Sequence, residues 1–356
     1  MMPAPLRMKT LVSGGSGFFG EVVVGHLLGR GDSVRIFDRV ENDDRPRETE
    51  IVRGDIRDAA TVRRALEGID IVHHNVAQVP LAKDRAEFWT VNVDGTRILL
   101  EESLRAGVQK VVLVSSSAIY GVPRENPVTL ETPPGPMEAY GRAKLEGERL
   151  AESFSKRGLA IAVVRPRTIL GHGRLGIFSI LFEWVRRGRP IFTLGPGDNR
   201  YQFVHADDLA KICLLADARP GSEVFLGGTD RFGTMRELLQ GLVSHAGTQS
   251  PVVALPFRTT QLAMKITSKL RLSPLGDYHA LMYGREMFFD VSHTRETLGW
   301  QPEWDNASMI AQAYDWYVEH RDEILARRGA SHHRSPVKLG VLRLLEALPM
   351  RRKPDA

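Results

Sequence analysis

The chain has 356 residues, 42% of them apolar and 26% charged, the balance of a globular protein of one or two domains. Its formal charge of +5 is concentrated in residues 331–356, where six Lys and Arg face two acids; the remaining +1 excludes the broad basic footprint of a nucleic-acid binder. No apolar run is long enough to span a bilayer, the N-terminus lacks the apolar centre of a signal peptide, and the single Cys213, set in an apolar run, excludes an internal disulfide or a cysteine-clustered metal site; a cytoplasmic protein is expected.

Residues 10–12 read as a first strand and 21–28 as a helix, with Gly14, Gly17 and Gly20 at three-residue intervals between them. Strand, glycine turn and helix form a dinucleotide-binding signature. Glycine lets backbone approach a pyrophosphate, and the helix N-terminus offers it unpaired N–H groups. Residues 33–37 read as a second strand ending at Asp38. An acid there accepts hydrogen bonds from the adenosine ribose and repels a 2′-phosphate, so NAD is expected rather than NADP. Arg39 follows directly and points the other way, as a partner for a 2′-phosphate or a plate for adenine.

Further strands at 50–53, 69–73, 111–115 and 160–165 alternate with helices at 59–66, 90–106 and 139–157. This pattern predicts an α/β fold, a Rossmann-type doubly wound parallel sheet. Beyond about Gly171 helical runs at 178–187, 235–245 and 306–327 dominate. The division expected is an NAD-binding domain over 1–170, to which later segments return, a smaller, mainly helical substrate-binding region over 171–330, and a basic amphipathic tail over 331–356.

Tyr140 and Lys144 stand four apart on a predicted helix and so share a face. A neighbouring cation favours a phenolate, which can take the proton of a substrate hydroxyl while hydride moves. Ser115, Ser116 and Ser117 follow the strand at 111–114, at the strand end where ligands bind in such sheets.

In combination these signals resemble the extended short-chain dehydrogenase/reductase superfamily, and within it the NAD-dependent epimerase/dehydratase family, over about residues 8–320. Gly54-Asp55-Ile56, His74-Asn75-Val76-Ala77, Asn92-Val93-Asp94-Gly95-Thr96, Arg165-Pro166 and Leu298-Gly299-Trp300 resemble its further landmarks. The resemblance implies Tyr140 as acid/base, Lys144 as its cationic neighbour and holder of the nicotinamide ribose, and Ser116 as the catalytic hydroxyl, with Ser117 the neighbour it could be confused with. It implies Gly14, Gly17, Phe18, Phe19 and Gly20 at the pyrophosphate, Asp38 at the ribose, Asp55 and Ile56 at the adenine, and Ala77 and Asn92 along the cofactor. His172 and His205 have places in the family without metal, and no metal is expected. Homodimerisation through the helices starting near Thr90 and Ala139 is likewise implied.

The substrate half departs from the family. Thr168 stands where nucleotide-sugar members usually carry an asparagine, and a second arginine is missing near Asp290. Arg200 remains to hold a phosphate, with Arg167 or Arg174 as substitutes, and Lys83 is a candidate substrate contact. The leading expectation is a nucleotide-sugar epimerase working by Tyr-assisted hydride transfer. Ala118 and Ile119 stand where dehydratases often carry acids, which disfavours dehydration. The alternative is a net dehydrogenase or reductase of a steroid-like or other lipophilic alcohol, motivated by apolar stretches at 262–272 and 281–289. In the tail, Val337, Val341, Leu344, Leu345 and Leu348 share one helical face beside Lys338 and Arg343. A helix docked on the body or a partner subunit is expected there, with reversible attachment to an anionic membrane as the other reading.

Overall fold

The computed structural model describes residues 8–41, 45–78, 85–270, 272 and 281–326. Lys83 and the tail at 331–356 lie outside the described residues. The strands are β1 (Lys9–Ser13), β2 (Ser33–Asp38), β3 (Glu50–Arg53), β4 (Ile71–His74), β5 (Lys110–Val114), β6 (Ile161–Pro166), β7 (Thr168–Leu170), β8 (Ile191–Leu194), β9 (Phe203–His205), β10 (Glu223–Gly227) and β11 (Val252–Leu255). The helices are α1 (Phe18–Arg30), α2 (Ala59–Ala65), α3 (Arg85–Trp89), α4 (Gly95–Ala106), α5 (Ala139–Lys156), α6 (Phe178–Arg186), α7 (Ala206–Asp217), α8 (Met235–His245), α9 (Phe257–Lys269), α10 (Ser292–Leu298), α11 (Asn306–Glu319) and α12 (Arg321–Ala326).

Seven strands form one parallel sheet in the order β3-β2-β1-β4-β5-β6-β10. The chain runs outward from β1 to β3 and then crosses back to β4. Ser13 is therefore in register with Phe37 on one side and His74 on the other. The crevice beyond the carboxyl ends of β1 and β4 is the switch point where ligands bind in open α/β sheets. Strands β4 and β5 are buried along their whole length, as parallel strands covered on both faces must be.

Helices α1 and α7 cover one face, with Val23, Leu27, Leu209 and Ile212 in its core. Helices α2, α4 and α5 cover the other, with Val62, Leu99, Leu150 and Phe154. The returning helix α7 is tied down by charge. Asp217 accepts from Arg30 at 2.8 Å and contacts the ring of His73 at 2.9 Å, both within the fold. Burial alone would raise the Asp217 carboxyl, but these partners hold it below its usual range.

The helix predicted at 90–106 is interrupted. A π-turn over Thr90–Asp94 joins α3 to α4 and brings Asn92 into the interior. The later third is mainly helical, as the sequence suggests. It contains two short parallel ladders, β7 with β9 and β8 with β11, of three and four residues each. Strands so short leave too few alternations to register in sequence. Their core includes Phe182, Trp184, Leu239 and Ile310. Cys213 is fully buried in α7, and burial pushes its thiol far up, so it packs and does not react.

Candidate active site

A cavity of about 720 Å³ opens at the switch point and continues under α6 and α9. Its first half is built from the glycine turn. Gly14 N–H donates to the Phe37 carbonyl at 2.8 Å, which ties the turn to β2. A Cβ on Gly20 would run into the Gly14 carbonyl, so only glycine lets α1 start this close to the turn. Asp38, at the end of β2, accepts from the Ser16 backbone N–H at 3.1 Å. Burial raises its carboxyl above the usual value, against the pull of these backbone donors. Arg39 is largely exposed and leans toward Asp55 at 3.7 Å. Arg57 grips Asp55 with contacts of 2.8 and 2.6 Å and holds its carboxyl at about 2. Ile56 and Ala77 complete this wall. Asn92 does not line the cavity. Its side chain brackets the wall from behind, accepting from Gln78 N–H at 2.8 Å and donating to the Gln78 carbonyl at 3.1 Å.

Helix α5 delivers the phenol. Glu138 caps it, its carboxylate accepting from Tyr140 N–H at 2.7 Å and Gly141 N–H at 2.6 Å. A Cβ on Gly141 would collide with the Ala118 carbonyl, so glycine is what lets α5 sit against the serine turn. Ser116 accepts from Ala118 N–H at 3.1 Å, which leaves its own hydroxyl proton for another acceptor. Ser117 is buried and accepts from Arg167 Nη1 at 2.9 Å. Lys144 Nζ lies 6.0 Å from the Tyr140 ring centroid and donates to the Val114 carbonyl at 2.8 Å. Burial lowers its ammonium to about 8, partly offset by Glu148. Behind it Glu148 accepts from Ser115 and pairs with Arg165 at 2.7 Å, and Arg165 donates to the Tyr120 hydroxyl at 2.7 Å. This network fixes β5, β6 and α5 to one another.

The second half of the cavity is apolar. Ile177, Phe178, Leu181, Trp184, Phe192, Leu239, Leu255 and Met264 line it. Three of its hydroxyls are engaged within the protein: Thr168 with Tyr201 at 3.0 Å, and Tyr283 donating to the Phe192 carbonyl at 2.6 Å. Arg200 is not there. It is exposed and lies over the rings of Phe288, 4.2 Å from its centroid, and Phe232, at 4.9 Å. Two other arginines line the cavity instead. Arg167 is buried, with its guanidinium 5.1 Å from the Tyr201 centroid, and no ion pair engages it among the described residues. Arg174 lies against Phe18 and Phe178, and burial lowers it to about 10. Of this set the sequence reading reached only Met264, within the stretch at 262–272, although Phe178, Leu181 and Trp184 already fall at helical spacing.

Gly14, Gly17, Phe18, Phe19, Gly20, Asp38, Arg39, Asp55, Ile56, Ala77, Ser116, Ser117, Tyr140, Lys144 and Thr168 thus share one cavity, and Asn92 and Arg200 stand outside its lining. The first half fits a dinucleotide on its own terms. The turn is too close for any side chain, and the Ser16 hydroxyl and both ends of the Asn75 amide are shielded without a protein partner.

Curated relatives match most of the chain. The chain is 49% identical over 336 residues to an uncharacterized protein, y4nG, of Sinorhizobium fredii, covering 94% of this chain and 85% of that one. It is 32% identical over 337 residues to sterol demethylase protein B of Methylococcus capsulatus, covering 88% and 99%. Among solved structures, UDP-glucose 4-epimerase of Thermotoga maritima with UDP-glucose superposes with a TM-score of 0.76 at 26% identity, covering 88% of this chain and 100% of that one. The model of the NAD dependent epimerase/dehydratase family matches residues 10–225, and the chain belongs to that family of NAD-dependent enzymes.

Proposed function

We propose that the protein is a net NAD-dependent dehydrogenase of a lipophilic, sterol-like secondary alcohol. The observation that carries this is the apolar second half of the cavity, where the Thr168, Tyr201 and Tyr283 hydroxyls are engaged within the protein. A nucleotide diphosphate draws on charge-assisted contacts from arginines. Arg200 is occupied with Phe288 and Phe232 outside the lining, and of the two arginines that line the cavity Arg167 donates to Ser117 and Arg174 lies against Phe18 and Phe178. The similarity to a sterol demethylase protein, at 32% identity, supports the same reading.

Gly14, Gly17, Phe18, Phe19 and Gly20 would hold the NAD pyrophosphate, Asp38 the adenosine ribose, and Lys144 the nicotinamide ribose. Bound NAD supplies a hydride acceptor. Ser116 donates its free proton to the substrate oxygen and aims the carbinol at Tyr140. Tyr140, as phenolate, takes the hydroxyl proton while the carbinol hydrogen leaves as hydride. The Lys144 ammonium favours that phenolate, and the Val114 carbonyl fixes it in place. The aromatic wall excludes water from the reacting carbon. A homodimer through α4 and α5 accompanies this reading.

The test is turnover of a 3-hydroxysterol against UDP-glucose, followed by reduced-nicotinamide absorbance. Sustained reduction of external NAD by the sterol, lost roughly 10²–10⁴-fold in Tyr140→Phe, is expected. Interconversion of UDP-glucose and UDP-galactose without net reduction would overturn the substrate assignment.

A further inference from the structure

Helix α9 has its apolar side outward. Leu262, Ile266 and, just past its end, Leu270 recur every four residues, and with Leu272 they are 50–60% exposed. The side two residues round the helix, Thr260 and Met264, lines the cavity. The helix is therefore a wall with the apolar substrate space on one side and an uncovered apolar ridge on the other. Val253, on the strand that leads into it, is exposed as well.

The charge along this segment has one sign. Between residues 257 and 272 the sequence carries Arg258, Lys265, Lys269 and Arg271 and no acid. Arg258 and Lys265 are exposed beside Leu262 and Ile266. A second copy of the same face would set these cations against their own kind. An anionic lipid surface offers them counter-charge and takes up the ridge, since amphipathic helices with cationic flanks bind in the headgroup layer. No helix among the described residues is long and apolar enough to cross a membrane, so the contact is with the surface.

We propose that α9 docks the protein on an anionic membrane surface, with Leu262, Ile266, Leu270 and Leu272 immersed and Arg258 and Lys265 among the headgroups. The docked helix sets the cavity wall against the lipid, so an apolar ligand passes between bilayer and cavity along α9. Vesicle binding reports on the helix whatever the cavity takes.

The experiment is co-sedimentation of the full chain with phosphatidylcholine vesicles, with and without phosphatidylglycerol. The parent is expected to bind the anionic vesicles. Leu262→Glu/Ile266→Glu is expected to lose about tenfold or more in partitioning, and Arg258→Gln/Lys265→Gln to lose the preference for anionic lipid. All four side chains are exposed, so thermal unfolding of both variants is expected to match the parent. Failure of the parent to bind, equal binding to uncharged vesicles, or unchanged binding of Leu262→Glu/Ile266→Glu would overturn the proposal. The last outcome would move the contact to another segment or to a protein partner.

Discussion

His74 makes the stability of this fold depend on pH in a way that can be worked out. It is fully buried at the end of β4. Its Nε2 lies 2.9 Å from the Thr96 hydroxyl, which itself donates to the Asn92 carbonyl at 2.8 Å. Thr96 therefore accepts from Nε2–H, and Nδ1 accepts from the Ser13 hydroxyl at 2.8 Å. Both nitrogens are satisfied in the neutral ring, with no acceptor for a second proton. Burial, and then the Lys144 charge, lower its pKa from 6.5 to about 3. Between those values the unfolded chain binds more protons, so the contribution is complete above pH 6.5 and is lost as pH falls. At pH 5 the shift amounts to about 1.5 units, or about 2 kcal/mol. Urea unfolding at pH 8 and pH 5 tests this. The parent should lose about 2 kcal/mol more over that interval than His74→Gln, which has no proton to gain. Equal losses in the two proteins would refute the neutral, fully bonded ring.

The ion pair behind the site should be costly to break from one side. Glu148→Gln leaves the part-buried Arg165 without its carboxylate, and a loss of roughly 2–4 kcal/mol is expected in chemical denaturation; a loss below about 1 kcal/mol would mean that the Tyr120 hydroxyl and water satisfy the guanidinium. Arg167 is the opposite case, a buried cation with no acidic partner among the described residues. Arg167→Met should leave the melting temperature equal or higher; a fall of several degrees would show that Ser117, Tyr201 and Phe289 outweigh the desolvation of the charge.

What the sequence alone determined is local. The glycine turn from Gly14 to Gly20, the acid ending β2, and Tyr140 with Lys144 on one helical face are relations within a few residues, and period and spacing express them directly. The alternation of apolar strands with helices likewise set the doubly wound sheet. The substrate half was decided by contacts between distant segments. Thr168 meets Tyr201, Tyr283 meets the Phe192 carbonyl, Arg167 reaches Ser117 and Met287, and Arg200 settles on Phe288. Each pairing engages polar groups that the sequence presents as available, and none leaves a periodic trace. The outward ridge of α9 belongs to the same class. Its apolar residues read from sequence as a pointer to a lipophilic substrate, and only the packed fold leaves Leu262 and Ile266 facing solvent, because the side carrying Thr260 and Met264 is the one turned to the cavity.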